Sequence, residues 1–211
     1  MGTNERKERE KMEMKDLVLQ TALDLFLAEG FPNVSMRRIA KKIEYSAGTI
    51  YLYFKDKDEI LHALHNLGFE QLYKRQQTVS SIKDPLKRLK EQGRVYVQFA
   101  QENPHYYDLM FIMRGPVRNL KSPEEWDMGR RAYDFLRENV RECLEAGYFG
   151  KRDLDVVTFA MWAFVHGIAS LFVRERCVCQ PDQFDDLVNK TLELYGFMMG
   201  SAHKDSLVSK N

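Results

Sequence analysis

Between Ser35 and Lys57 the chain carries Arg37, Arg38, Lys41, Lys42, Lys55 and Lys57, against only Glu44 and Asp56. Basic side chains at this density, on a segment punctuated by helix-capping residues, suit one chemistry: holding phosphate. Arg37 and Arg38 fall in the first turn after Ser35, a good N-cap, and Lys57 follows Asp56, another. Cations there oppose the helix macrodipole by about 0.3–1 kcal/mol each. Their placement makes sense if an anion docks at the helix end. The plainer alternative is a solvated basic face.

Other chemistry is poorly provided for. The sequence has no phosphate-cradling glycine loop, no G-x-S-x-G elbow and no H-E-x-x-H. Its carboxylates read as solvent-facing, so no catalytic residue and no cofactor is assigned, and the chain does not read as an enzyme. His62 and His65 have the H-x-x-H spacing of a metal pair but lack third and fourth ligands, so they read as surface histidines and no metal site follows. Cys177 and Cys179 form a C-x-C that is no site by itself.

The elements that position the basic residues are short. Ser35 opens a helical pattern with Ile39, Ala40 and Ile43 on one face. Ser46 offers a second N-cap and opens Ala47 to Tyr53, with Ile50 and Phe54 as its core pair. Helix, tight turn, helix is the helix-turn-helix plan, whose second helix enters the major groove.

The stretch V-S-M-R-R-I-A-K-K-I-E-Y-S-A-G-T-I-Y-L-Y-F-K-D-K-D-E-I-L resembles the DNA-binding domain of the TetR/AcrR family of bacterial transcriptional regulators. The upstream V-L-Q-T-A-L-D-L-F-L-A-E-G-F resembles that family's first helix. The resemblance places Arg37, Ala47, Gly48, Thr49, Leu52 and Tyr53 at the base edges. Arginine suits guanine, and small or apolar groups suit thymine methyls. Ser46, Tyr51 and Lys57, with support from Lys55, are assigned to phosphates. Tyr51 could instead be an aromatic packed in the head. At Glu44 the family usually has Gly. A left-handed Glu costs on the order of 1 kcal/mol, which predicts a turn of different geometry here.

The rest of the chain reads as helices. The first 12 residues form a charged lead-in, frayed or a helical extension, before a helix from about Lys15 to Glu29. A long helix opens at Asp56 with D-K-D-E, a capping-box pattern, and runs to about Gln77. Pro85, Pro104 and Pro123 then open further helices, the last running to about Ala146. Two more span about Leu154 to Arg176 and Gln183 to Met199. The tail after Ser201 has no apolar period. No strand alternation and no repeat is visible. The fold class is all-α: a three-helix head, residues 13–73, joined by the long helix to a helical bundle, residues 84–200.

W-A-F-V-H-G at Trp162 to Gly167 is similar to the Trp…His-Gly signature of one ligand-domain subgroup of the family. P-H-Y-Y-D-L-M-F at Pro104 to Phe111 also resembles a segment of that subgroup. The resemblance implies a small-molecule pocket within the bundle, near Tyr106, Tyr107, Met110, Phe111, Trp126, Tyr133, Phe159, Trp162 and His166. Aromatics at helical spacing are also what plain core looks like, and His166 reads better as a core histidine bonded to a carbonyl. The resemblance further implies a homodimer through the last two helices. Val157, Met161, Val165, Ile168 and Phe172, with Leu187, Leu194 and Met198, are the expected seam.

Bulk properties fit. At 211 residues with 44% hydrophobic content, the chain can bury a real core. Its net charge of +1 means that any attraction to nucleic acid is local. Residues 1–16 have no apolar core, so no signal peptide is read. Cys143, Cys177 and Cys179 suit a reducing cytoplasm. Val156 to Val173 carries no formal charge but is shorter than a spanning helix wants, so no membrane is assigned. The expected function is a homodimeric regulator of operator DNA, repressing until a small hydrophobic or aromatic ligand releases it. The alternatives are a helical ligand-binding or scaffolding protein whose head no longer reads DNA, and, more remotely, an enzyme in the body cavity.

Overall fold

The computed structural model describes residues 3–113, 127–177 and 183–200, and every regular element among them is helical. In order these are α1 (Thr3–Glu29), a 3-10 turn (Phe31–Asn33), α2 (Met36–Lys42), α3 (Ala47–Tyr51) and α4 (Lys57–Gln77). They continue as α5 (Pro85–Glu102), α6 (Pro104–Tyr107) running into a π turn (Asp108–Ile112), α7 (Asp127–Glu145), α8 (Leu154–Val173) and α9 (Phe184–Gly200).

Packing divides the chain into two units. Among the described residues, one holds residues 3–68 and 105–113; the other holds residues 69–104, 127–177 and 183–200. This departs from the expected 13–73 and 84–200 split. The cause is visible in the first unit's core. Val18, Ala22 and Phe26 of α1, Ile39 of α2, Ile50 of α3 and Ile60, Leu61 and Leu64 of α4 enclose Leu109, which is fully buried there. Tyr106 and Met113 pack on the same core. Gly68 permits the approach: a Cβ there would lie 2.5 Å from the Met110 sulfur and 3.1 Å from Tyr106 Cδ1.

His65 corrects the sequence reading. It is 1% exposed, not a surface residue. Burial, with the neighbouring His62, lowers its pKa from an ordinary 6.5 to about 4, against a bond to the Met110 backbone that favours the charged form. The lead-in is also settled: α1 begins at Thr3, with Arg6–Glu10 and Arg9–Glu13 pairs one turn apart along it.

The second unit packs α5 against α7, α8 and α9. Leu89, Val140, Cys143, Phe149, Val157 and Met161 form one cluster. Val97, Phe184, Val188 and Leu192 form another, covered by Val165, Ile168 and Phe172. The core-facing side of α8 therefore takes up Val157, Met161, Val165, Ile168 and Phe172, the α8 residues expected at a dimer seam.

The unfolded chain protonates His65 before the folded one does. Stability should thus be complete above about pH 6.5 and fall as pH drops toward 4, by roughly 3 kcal/mol in all. Denaturant melts of the protein and of His65→Gln across this range check it: the variant should lose that part of the pH slope.

Candidate nucleic-acid interface

α3 is fixed at its N-terminal end. The Ser46 hydroxyl accepts the Thr49 N–H at 3.1 Å and pairs with the Thr49 hydroxyl at 2.9 Å. On the approach side, α2 is capped by Ser35, which accepts from the Arg38 N–H at 3.2 Å. It ends in a left-handed turn: Tyr45 N–H donates to the Ala40 carbonyl at 3.0 Å, and Glu44 N–H to that of Lys41 at 3.3 Å. Glu44 sits at φ 62. The altered turn expected from the missing glycine is therefore not found. The standard left-handed closure is kept, with a Glu carrying its strain.

The turn and the Ile50 anchor decide which side chains face outward. Ile50 and Phe54 are buried, as the spacing predicted. Leu52 is 78% and Tyr51 54% exposed, so Tyr51 is not a packed core aromatic. Ser46 and Gly48 are also exposed. Thr49 is half-buried; Ala47 and Tyr53 are half-buried against the head core, so only part of each can meet a groove. Tyr45, 47% exposed beside the Ser46 cap, was absent from the predicted contacts. Its turn position beside the reading helix was the signal that could have found it.

The cations separate into two classes. Arg38 donates through Nε and Nη2 to Glu29, the shorter bond being 2.6 Å. That bond holds the Glu29 carboxyl below its ordinary pKa. The Lys57 ammonium donates to the carbonyls of Phe31 at 2.9 Å and Val34 at 3.1 Å, and lies 4.4 Å from the Phe31 ring centroid. The phosphate role predicted for Lys57 thus gives way, for its side chain, to a clamp on the α1–α2 connector. Two of the cations that seemed to await an anion have partners inside the head. Arg37, Lys41, Lys42 and Lys55 are exposed and carry no ion pair among the described residues. The Lys55 backbone N–H is held by Glu59 at 2.5 Å, while Glu59 N–H donates to Asp56 at 2.8 Å, which caps α4.

An exposed short helix capped by Ser46, beside unpaired cations, is a groove-reading geometry. Residues 18–64 match the profile of the bacterial regulatory proteins of the tetR family, and residues 89–195 match the tetracyclin repressor-like C-terminal domain. The chain belongs to the TetR family. It is a DNA-binding transcriptional regulator of that family.

An uncharacterized HTH-type regulator of Haemophilus influenzae is 30% identical over 128 residues, 56% of this chain and 66% of that one. The HTH-type regulator YuxN of Bacillus subtilis is 35% identical over 69 residues, 33% of this chain and 22% of YuxN. The matches thus span less than two thirds of either relative. Among solved structures, the TetR family regulator PfmR of Thermus thermophilus superposes with a TM-score of 0.67 at 21% identity, over 84% of this chain and 92% of that one. At that identity it speaks for the fold.

The predicted pocket residues of this TetR-family chain do not form one set. Tyr106, Tyr107, Met110 and Phe111 belong to the first unit, where Tyr107 is fully buried, 5.3 Å from the Phe111 ring. Tyr133, Trp162 and His166 belong to the second: Tyr133 stacks edge-on to Trp162 at 6.3 Å, and Trp162 lies 6.0 Å from His166. His166 Nδ1 bonds the Tyr96 hydroxyl at 3.0 Å. Phe159 is 62% exposed, so its place inside a pocket is corrected: its helix turns it outward. Trp126 lies outside the described residues.

Two substitutions separate the cation classes. Arg37→Ala should weaken specific DNA binding by about tenfold or more and reduce the salt slope by about one unit. Lys57→Met should instead destabilise the head by about 1–2 kcal/mol and leave that slope nearly unchanged. Binding titrations across salt, beside thermal melts, check both. Relief of left-handed strain predicts that Glu44→Gly stabilises the protein by about 1 kcal/mol without loss of DNA affinity.

Proposed function

We propose that the protein is a homodimeric repressor that puts α3 of each subunit into successive major grooves and is released by a small hydrophobic or aromatic ligand. The observation that carries the reading is the intact left-handed turn at Glu44. It keeps α3 in a presentable orientation, with Arg37, Gly48, Tyr51 and Leu52 outward. This counts against the alternative of a scaffolding protein with a disabled head. Arg37, Gly48, Thr49, Leu52 and parts of Ala47 and Tyr53 read bases. Phosphates are held by Tyr51, Ser46 and Lys55.

The dimer reading rests on α8. By length and composition alone this helix could cross a membrane. Its exposed apolar residues, however, form one stripe: Val156, Phe159, Ala163, Gly167 and Leu171. The expected seam residues Val157 and Met161 face the opposite way, into the core. Leu187 and Leu194 of α9 are exposed as expected, while the Met198 side chain lies outside the described residues. A stripe of this kind, with a glycine whose added Cβ would meet nothing within 4 Å, suits close helix pairing in a symmetric interface. Two heads then require half-sites about 34–36 Å apart. The ligand is placed in the second unit, beside Tyr133, Trp162 and His166. The protein works in the cytoplasm, without a membrane partner.

Ligand and DNA must prefer opposite states, so each should weaken the other's binding by the same factor. Titrating a ligand that releases the protein from a selected duplex, with and without that duplex, tests this; equal ligand affinity in both would contradict it. Gly167→Glu should turn the dimer into a monomer by sedimentation and cut DNA affinity by at least tenfold. A dimer of unchanged strength would exclude the α8 stripe as its interface.

A further inference from the structure

α5 carries buried polar residues at intervals of one turn: Arg88, Gln92 and Tyr96, which are 9%, 3% and 5% exposed. Each reaches across the second unit. Arg88 Nε donates to Asn139 Oδ1 at 3.1 Å, and the same guanidinium bonds Glu142 and, at 3.0 Å, the Ile82 carbonyl. Asn139 Nδ2 donates to Gln92 Oε1 at 3.0 Å. Tyr96 bonds His166 of α8.

The direction of this relay is fixed by its first member. A guanidinium only donates, so Asn139 must turn its oxygen to Arg88 and its nitrogen to Gln92. Gln92 must then turn its oxygen to Asn139. Its Nε2, with two N–H groups, is left at the end of the chain, buried and without a hydrogen-bond partner among the described residues. Such donors in an apolar interior are rare, and a relay ending on one polarises it toward an acceptor.

The charges narrow the acceptor. Arg88 is already compensated by Glu142. His166 has its pKa lowered by burial. A carboxylate would arrive with no unbalanced cation to meet it. We propose that Gln92 Nε2 is the polar anchor of the effector site, and that the effector is an uncharged apolar compound presenting a carbonyl oxygen: a ketone, ester or amide. This rests on the ligand-binding reading above and adds to it the functional group recognised.

The test uses the full chain and matched aromatic probes: acetophenone, ethylbenzene and benzoate. Affinity is read by calorimetry and contact by the Gln92 side-chain amide resonances, assigned through their loss in Gln92→Met. Acetophenone is expected to bind at least tenfold tighter than the other two and to shift those resonances. Gln92→Met should lower acetophenone to the level of ethylbenzene and leave ethylbenzene unchanged. Should that variant not fold, Asn139→Asp carries the test. A carboxylate at 139 accepts from Gln92 Nε2, reverses the amide, and should move the preference from acetophenone to phenol. Equal binding of ketone and hydrocarbon, preference for benzoate, or an amide unmoved by all three would overturn the proposal; the last result would leave a buried water as the partner of Nε2. Release of DNA is scored in parallel. DNA release by compounds indifferent to Gln92→Met keeps the repressor reading and sinks this anchor. Gln92-dependent binding without release does the reverse.

Discussion

A helix of five residues has no stability of its own. Nucleation in water costs more than so few hydrogen bonds return. α3 exists because its surroundings impose it: the Ser46 cap in front, the left-handed residue at Glu44 behind that cap, and Ile50 driven into the core beneath. Any DNA-reading role depends on this imposed orientation. The same logic extends outward. α2 is tied to α1 by Arg38 and Glu29, and the connector between them is held by the Lys57 ammonium. The head is thus a set of short elements stapled by polar contacts around one apolar core.

This stapling changes how its charge should be counted. A raw tally from Ser35 to Lys57 overstates what is available to phosphate, because Arg38 and Lys57 serve the fold. Of the cations in that stretch, Arg37, Lys41, Lys42 and Lys55 remain exposed and without an ion pair among the described residues. In a chain whose net charge is only +1, association with DNA must come from that local set. The second unit is organised differently. Its polar residues lie inside, in a directional relay from Arg88 through Asn139 to Gln92, while apolar residues of α8 lie outside.

Much of this was legible in the sequence. The caps at Ser35, Ser46 and Asp56, the buried pair Ile50 and Phe54, and the proline-opened starts of α5 and α6 followed from local rules. The misreadings have physical causes. The left-handed turn at Glu44 survived because its paired backbone bonds to Ala40 and Lys41 outweigh a strain of about 1 kcal/mol. Val157 and Met161, expected at a seam, are buried inside the subunit instead, since a helix apolar on nearly every side gives no periodic signal to set which face turns inward. Burial of His65 depended on a segment some forty positions away, which no local pattern reveals. The roles of Arg38 and Lys57 were hidden for the same reason: their partners, Glu29 and the Phe31 and Val34 carbonyls, come from the preceding helix and its connector.

The central claim is that α3, so held, reads sequence rather than merely attracting phosphate. Its most direct test is the affinity of the purified protein for DNA upstream of its own gene, measured across a salt series beside a scrambled duplex of equal length. The account predicts a preference on the order of a thousandfold for the upstream DNA. Weak, equal binding to both duplexes that collapses with salt, repeated with duplexes selected from a random pool, would contradict it.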